Sequence, residues 1–213
     1  GNEAYRDYMK RFGFGEKTGI ELPAELPGDI RSLERTKQDI QFYTAAFGQG
    51  ITTTPLQMVQ AYGAMANHGV LMKPQIIRRI QYADGRVEER EPERIRQVLG
   101  EKASEDIGKM LRTVVTKGHG KRADVPGDLV GGKTGTAQVA KSGSAGYEEG
   151  VTIGSFVGYA PIQDPQFVVL VKLDNPKNVE WAESSAAPAF GEIMRFLLEY
   201  AKVEPTEETP VKK

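Results

Sequence analysis

The apolar positions of this chain keep a helical rhythm in its first half and a strand rhythm later on. Between residues 4 and 12, Tyr5, Tyr8, Met9 and Phe12 fall on one helical face, and Gly13 and Gly15 end the pattern. Residues 19–36, with Pro23, Pro27 and Gly28, keep no period and read as a long surface connection. The sharpest local signal is Thr54-Pro55-Leu56-Gln57. Thr54 caps a first turn, Pro55 sits where its missing N–H costs nothing, and Gln57 completes a capping box. That helix is expected to run to about Asn67, with Leu56, Val59 and Met65 inward, and to stop before Gly69. Alternation from Ile76 to Glu91 around Asp84-Gly85 predicts a β-hairpin. A second amphipathic helix is expected over 103–116, with Ile107, Met110, Leu111, Val114 and Val115 inward and Gly118 closing it.

From Leu129 the period changes to that of strands. Segments 129–140, 151–159 and 167–173 are the three candidates, joined by a Gly/Ser-rich loop at 141–150 and a tight turn at 160–165. The short second connection predicts that the last two strands are antiparallel neighbours. Ala186 to Tyr200 then reads as an apolar helix burying Phe190, Ile193, Met194, Leu197 and Leu198. The pattern implies an α/β fold, an antiparallel sheet packed with helices, as one domain or a large piece of one over 1–200. Residues 201–213, charged and proline-containing, are expected to be a flexible tail or linker.

Composition narrows the class without naming a function. The 213 residues, 39% hydrophobic and 27% charged, suit an ordinary globular chain with a sizeable core. A net charge of −1 and the lack of a Lys/Arg cluster argue against a nucleic-acid partner. With no cysteine there is neither disulfide nor thiolate chemistry. No apolar run approaches the ~18 residues of a membrane span. There is no signal peptide, and the first residue is Gly, so any export or anchoring information is expected upstream.

The candidate chemistry lies in Val130-Gly131-Gly132-Lys133-Thr134-Gly135-Thr136-Ala137-Gln138. An extended strand puts Lys133, Gly135 and Ala137 on one face and Thr134, Thr136 and Gln138 on the other. At a sheet edge, a twist or bulge near the glycines can aim Lys133 and both threonines at one cleft. An ammonium and two hydroxyls would then cradle a carboxylate, and Gly135 would let a substrate backbone approach. A free backbone N–H on such a strand can stabilise an oxyanion. A glycine-containing edge strand with a solvated lysine is the other reading of the same letters. Lys17-Thr18-Gly19 repeats the tripeptide between a helix stop and a proline-rich segment, where Gly19 reads as a turn residue.

Residues 127–134 also satisfy the phosphate-loop pattern G-x-x-x-x-G-K-[ST], and Phe167 to Asp174 imitates an apolar strand ending in a metal-binding acid. The context opposes it: Lys117 to Pro126 is polar and broken, and Gly-Thr-Ala-Gln-Val after Thr134 favours strand over helix. Of the two histidines, His68 stands near a helix C-terminus and His119 lies between two glycines. No G-x-S-x-G elbow accompanies them, and no His/Asp/Glu spacing suggests a metal site, so neither metal nor cofactor is expected. Three residues beyond Ser32, Ser104, Ser142, Ser144, Ser155, Ser184 and Ser185 stand Arg, Ile, Ala, Tyr, Gly, Ala and Pro. No Ser-x-x-Lys nucleophile motif and no Ser-x-Asn motif is present.

Four separated segments carry a family resemblance: Phe12 to Pro23; Ala46 to Gln57 continuing through Ala61-Tyr62 and Ala66 to Gly69; Val114 to Gly120; and Gly132 to Gln138. In this order they resemble the transpeptidase domain of class B penicillin-binding proteins over about residues 1–200. The resemblance implies a partial penicillin-binding-protein or serine β-lactamase-like fold whose first residue falls just downstream of the Ser-x-Asn segment. Lys133, Thr134 and Thr136 would bind the terminal carboxylate of a D-Ala-D-Ala stem peptide or of a β-lactam. Gly135 would admit the substrate, and the Thr136 backbone N–H would form half of an oxyanion hole. It further implies an extracytoplasmic place at the bacterial cell membrane, an anchor upstream, and division or sporulation machinery as partners. His119 stands where the family often has threonine. Without the nucleophile the chain is expected to be inactive alone. A non-catalytic binding domain on the same fold is the rival, with carboxypeptidase, β-lactamase and nucleotide-binding readings further off.

Overall fold

The computed structural model describes residues 1–34, 39–141, 143, 146–179 and 181–206, with Ala140 described by its backbone alone. The contacts gather into two compact units, residues 1–100 and 101–213.

The first unit comprises α1 (Asn2–Arg11), α2 (Arg31–Glu34), α3 (Ile40–Ala46), α4 (Pro55–Ala66), β1 (Val70–Met72), β2 (Arg79–Gln81), β3 (Val87–Glu89) and β4 (Arg94–Gln97). Strands β2 and β3 make the expected antiparallel hairpin around Asp84-Gly85, and β1 pairs with β4. The capping box of α4 is present in full: the Gln57 N–H donates to Thr54 Oγ1 and the Thr54 N–H to Gln57 Oε1. The buried stripe of α4 is rotated from the expected one. Gln57, Gln60, Ala61 and Ala64 are buried, while Leu56, Val59 and Met65 are half-buried. Gln57 tolerates this because its amide reaches the carbonyls of Gly13, Glu16 and Pro27 at 3.3, 2.8 and 2.7 Å. The expected surface connection also contributes core: Ile30 and Leu33 are buried with Phe42 and Ala45. Its residues 35–36 lie outside the described residues.

The second unit runs α5 (Glu101–Lys117), β5 (Gly131–Ala140), β6 (Tyr147–Ala160), β7 (Phe167–Asp174) and α6 (Ala186–Ala201). The strands form one antiparallel sheet in the order β5-β6-β7, which bears out the adjacency of the last two. Helix α6 covers one face, with the Phe190 ring 4.7 Å from that of Phe156. The opposite face meets α5, where Leu111 lies beside Gly131 and Gly108 beside the Tyr159 hydroxyl. Two helical residues expected inside are outside: Met110 on α5 and Ile193 on α6 are exposed. The buried stripe of α6 is narrower than expected, built from Ala187, Phe190, Gly191, Met194 and Leu198.

Strand β6 starts four residues earlier than the pattern suggested, at Tyr147; Ser142, Ser144 and Ala145 of the expected loop are outside the described residues. Of the expected tail, Val203 packs on the α6 core and the Thr206 N–H donates to Gly127 O at 2.9 Å. Residues 207–213 lie outside the described residues.

Candidate active site

Strand β5 is an edge strand among the described residues, with Lys133, Thr134, Gly135 and Thr136 facing Val157, Phe156, Ser155 and Gly154 of β6. Its two leading glycines are packing positions. A Cβ at Gly132 would lie 2.4 Å from the Phe156 ring, so this residue lets the strand settle against the aromatic core. Lys133 and Thr134 then continue in strand, with no helix opening after them, and this ends the phosphate-loop reading.

The strand alternates as expected. Thr134 and Thr136 share the α6 face, where Thr136 Oγ1 accepts the Ala182 N–H at 3.2 Å. Gly135 lies on the other face, and Ser155 Oγ donates to its carbonyl at 3.2 Å. A Cβ at Gly135 would stand 2.7 Å from that hydroxyl, so a side chain here would make Ser155 rotate and give up the bond. The strand's irregularity falls between Gln138 and Ala140, beyond the glycines, so a bulge does not gather the cradle. The length of the lysine does. Lys133 Nζ reaches around the open edge and donates to Thr134 O at 2.9 Å and Thr134 Oγ1 at 3.1 Å. The ammonium and the Thr134 hydroxyl thus meet at an exposed edge, with the Thr136 hydroxyl two residues on. Among the described residues no carboxylate occupies them.

His119 follows α5 on a tight loop and sets Nδ1 2.9 Å from Glu183 Oε2, giving a partner to the side chain that the sequence left without a role. Glu183 belongs to a 3₁₀ turn, Ala182–Ser184, the same turn that supplies the N–H on Thr136. Neither Glu183 nor Ser155 was picked out from the sequence; each meets its partner only through tertiary approach. His68 lies in the first unit and closes α4 with a left-handed backbone, φ +49°. Besides the paired Lys102 and Asp106 on α5, two titratable groups in the second unit carry displaced pKa values. Burial raises Tyr159 to about 12. Burial also pushes the Asp128 carboxyl up, against the opposing N–H of Thr206. No grouping of His, Asp and Glu among the described residues can hold a metal ion.

Comparison with known proteins gives this arrangement a context. Residues 1–195 match the family model of the penicillin binding protein transpeptidase domain. Stage V sporulation protein D of Bacillus subtilis is 42% identical over all of this chain and 33% of its own length. Penicillin-binding protein PbpB of Mycobacterium tuberculosis is 37% identical over 95% of this chain and 31% of its own. The chain thus spans about a third of the length of these relatives. Among solved structures, penicillin binding protein 3 of Mycobacterium tuberculosis complexed with ampicillin superposes with a TM-score of 0.89 at 33% identity, over 100% of this chain and 48% of that one. The transpeptidase domain of Burkholderia pseudomallei penicillin-binding protein 3 gives 0.84 at 27% identity, over 97% of this chain and 60% of that one. The chain belongs to the penicillin-binding protein transpeptidase family, and within it to the class B proteins.

Proposed function

We propose that this chain carries the carboxylate-binding strand of a peptidoglycan D,D-transpeptidase. The observation that carries the reading is the convergence of Lys133 Nζ with the Thr134 hydroxyl on an edge strand that holds no carboxylate among the described residues. Lys133, Thr134 and Thr136 bind the terminal carboxylate of a D-Ala-D-Ala stem peptide or of a β-lactam by charge-assisted hydrogen bonds. The Thr136 backbone N–H faces the developing oxyanion as half of a two-donor hole.

A serine outside this sequence attacks the penultimate D-Ala carbonyl. The terminal D-Ala leaves with the transferred proton on its amine, and an ester remains on the enzyme. An amine of a second stem peptide then attacks the ester, forming the new amide and returning the proton to the serine. The names of the relatives support a place in division or sporulation machinery. Family membership supports an extracytoplasmic site at the cell membrane; no described helix is long and apolar enough to cross a membrane.

Fluorescent penicillin tests the reading. The full-length protein should give a covalently labelled band that excess ampicillin suppresses, and the 213-residue chain alone should give none. An unlabelled full-length protein sinks the transpeptidase reading. A labelled band from the chain alone sinks the assignment of the nucleophile to polypeptide outside it.

A further inference from the structure

A hydroxyl that must donate to a ligand binds best when something else fixes its rotation. Threonine Oγ1 carries one proton and two lone pairs, so a donor placed on one lone pair biases where the proton points. Thr136 has such a donor. The Ala182 N–H lies on Oγ1 at 3.2 Å, and Ala182 is itself 1% exposed, packed in the core just ahead of α6. The hydroxyl proton is thereby directed away from the turn.

The position of that donor depends on how the 3₁₀ turn is seated, and two contacts seat it. Beneath it lies Gly154, the cross-strand neighbour of Thr136. A Cβ at residue 154 would come 3.0 Å from Ser185 Oγ and 3.5 Å from Ala182 Cα, so the bare backbone lets the turn approach β5. On the far side the Glu183 carboxylate takes His119 Nδ1 at 2.9 Å. His119 stands on a constrained loop, because the N–H groups of both Gly118 and Gly120 converge on Val114 O at 3.0 and 3.1 Å. A connected path therefore runs from the end of α5 through His119 and Glu183 to the Ala182 N–H and the Thr136 hydroxyl. The path has an electrostatic side as well. Glu183 adjoins the residue that hydrogen-bonds Thr136, and a carboxylate that swung toward β5 would oppose an incoming anionic ligand. Its bond to His119 holds it elsewhere.

We propose that His119 and Glu183 are positioning residues for ligand-carboxylate binding. They latch the 3₁₀ turn so that the Ala182 N–H orients the Thr136 hydroxyl, and they hold the Glu183 carboxylate away from the ligand. This rests on the reading of Thr136 as a carboxylate ligand.

The test measures penicillin acylation by the full-length protein, with the non-covalent dissociation constant separated from the acylation rate constant. Glu183→Ala and His119→Ala should each raise the dissociation constant about fivefold, the scale of one lost hydrogen bond, and leave the rate constant within twofold. Glu183→Gln, whose amide oxygen can still accept from the imidazole N–H, should recover most of the affinity. In a Thr136→Val background the Glu183→Ala loss should vanish, because the two act in series. Additive losses, or an unchanged dissociation constant in both alanine variants, overturn the latch while leaving the carboxylate reading intact. A Thr136→Val protein with unaltered penicillin affinity overturns the carboxylate reading itself, and the latch with it. Thermal unfolding of each variant separates loss of fold from loss of binding. Should the alanine variants unfold, His119→Phe, which keeps a ring but has no donor, replaces them under the same criteria.

Discussion

The tripeptide Lys-Thr-Gly occurs twice, and the two copies show what backbone context does to identical letters. Lys17-Thr18-Gly19 lies in irregular coil after a turn, with Gly19 at φ +79° and Thr18 buried. The Thr18 hydroxyl and N–H donate to Glu25 Oε1 at 2.5 and 2.7 Å, and the Gly19 N–H donates to Oε2 at 3.1 Å. This copy is a carboxylate cradle already filled by the chain's own acid. Lys133-Thr134-Gly135 lies in an extended edge strand, where no described acid reaches it and the lysine folds onto its neighbouring threonine. Only the threonine hydroxyl is common to the two: at Thr18 it donates, with two backbone N–H groups, to an acid seven positions away, and at Thr134 it meets the lysine ammonium on an open strand edge.

The largest effect should appear when each lysine is removed in turn. In the full-length protein, Lys133→Ala removes the one cation of the proposed cradle and should lower the efficiency of penicillin acylation about 100-fold, equivalent to roughly 2–3 kcal/mol for a charge-assisted contact. Lys17→Ala should leave it within twofold. Equal losses from the two substitutions would erase the functional distinction between the copies.

Much of this was readable in the sequence because it is local. The Thr54 capping box, the strand rhythm after Leu129 and the contiguous Lys133–Thr136 signature each sit within a few residues. The misread parts are long-range. Gln57 and Gln60 look like surface residues, and only carbonyls from distant loops and from β1 make their burial favourable. Ile30 and Leu33 sit among prolines and polar residues that suggested a surface loop, yet α3 gives them a core to join. His119 and Glu183 are 64 residues apart, and Gly135 and Ser155 are 20 apart. Pairings of that kind leave no periodicity to detect, so the candidate strand could be read and the parts packed against it could not.

A smaller effect tests whether the first copy is truly filled. Burial is the strongest single influence on Glu25 and raises its pKa, but the Thr18 hydroxyl and the N–H groups of Thr18 and Gly19 together outweigh it and hold the carboxyl below its ordinary range. A carboxyl whose folded value is lowered stabilises the fold above its unfolded value, and that contribution disappears as pH falls through the folded value. Thermal unfolding of the wild-type chain should therefore lose stability on the acid side, and Glu25→Gln should flatten that slope. Glu25→Ala strands three donors and should cost about 1–3 kcal/mol, with faster hydrogen exchange at the Thr18 and Gly19 amides. Unchanged exchange at those two amides would mean that the segment holds without its acid.

Asp128 supplies the opposite case and the smallest expected effect. It precedes β5 by two residues of coil, is 8% exposed, and its Oδ1 is buried without a hydrogen-bond partner among the described residues. Burial is the leading cause of its raised pKa, and the Thr206 N–H only partly offsets it. Between the unfolded value and this raised folded value the native state holds the extra proton, so stability falls as pH rises through that window. Asp128→Asn removes the charge while keeping a similar shape. It should raise the unfolding temperature by a few degrees at pH 7, on the scale of about 1 kcal/mol, with the advantage vanishing below the ordinary carboxylate range. A loss of stability at pH 7 would instead mean that the ionised carboxylate is bound as Glu25 is, and that the leader of the open strand also carries an internally satisfied acid.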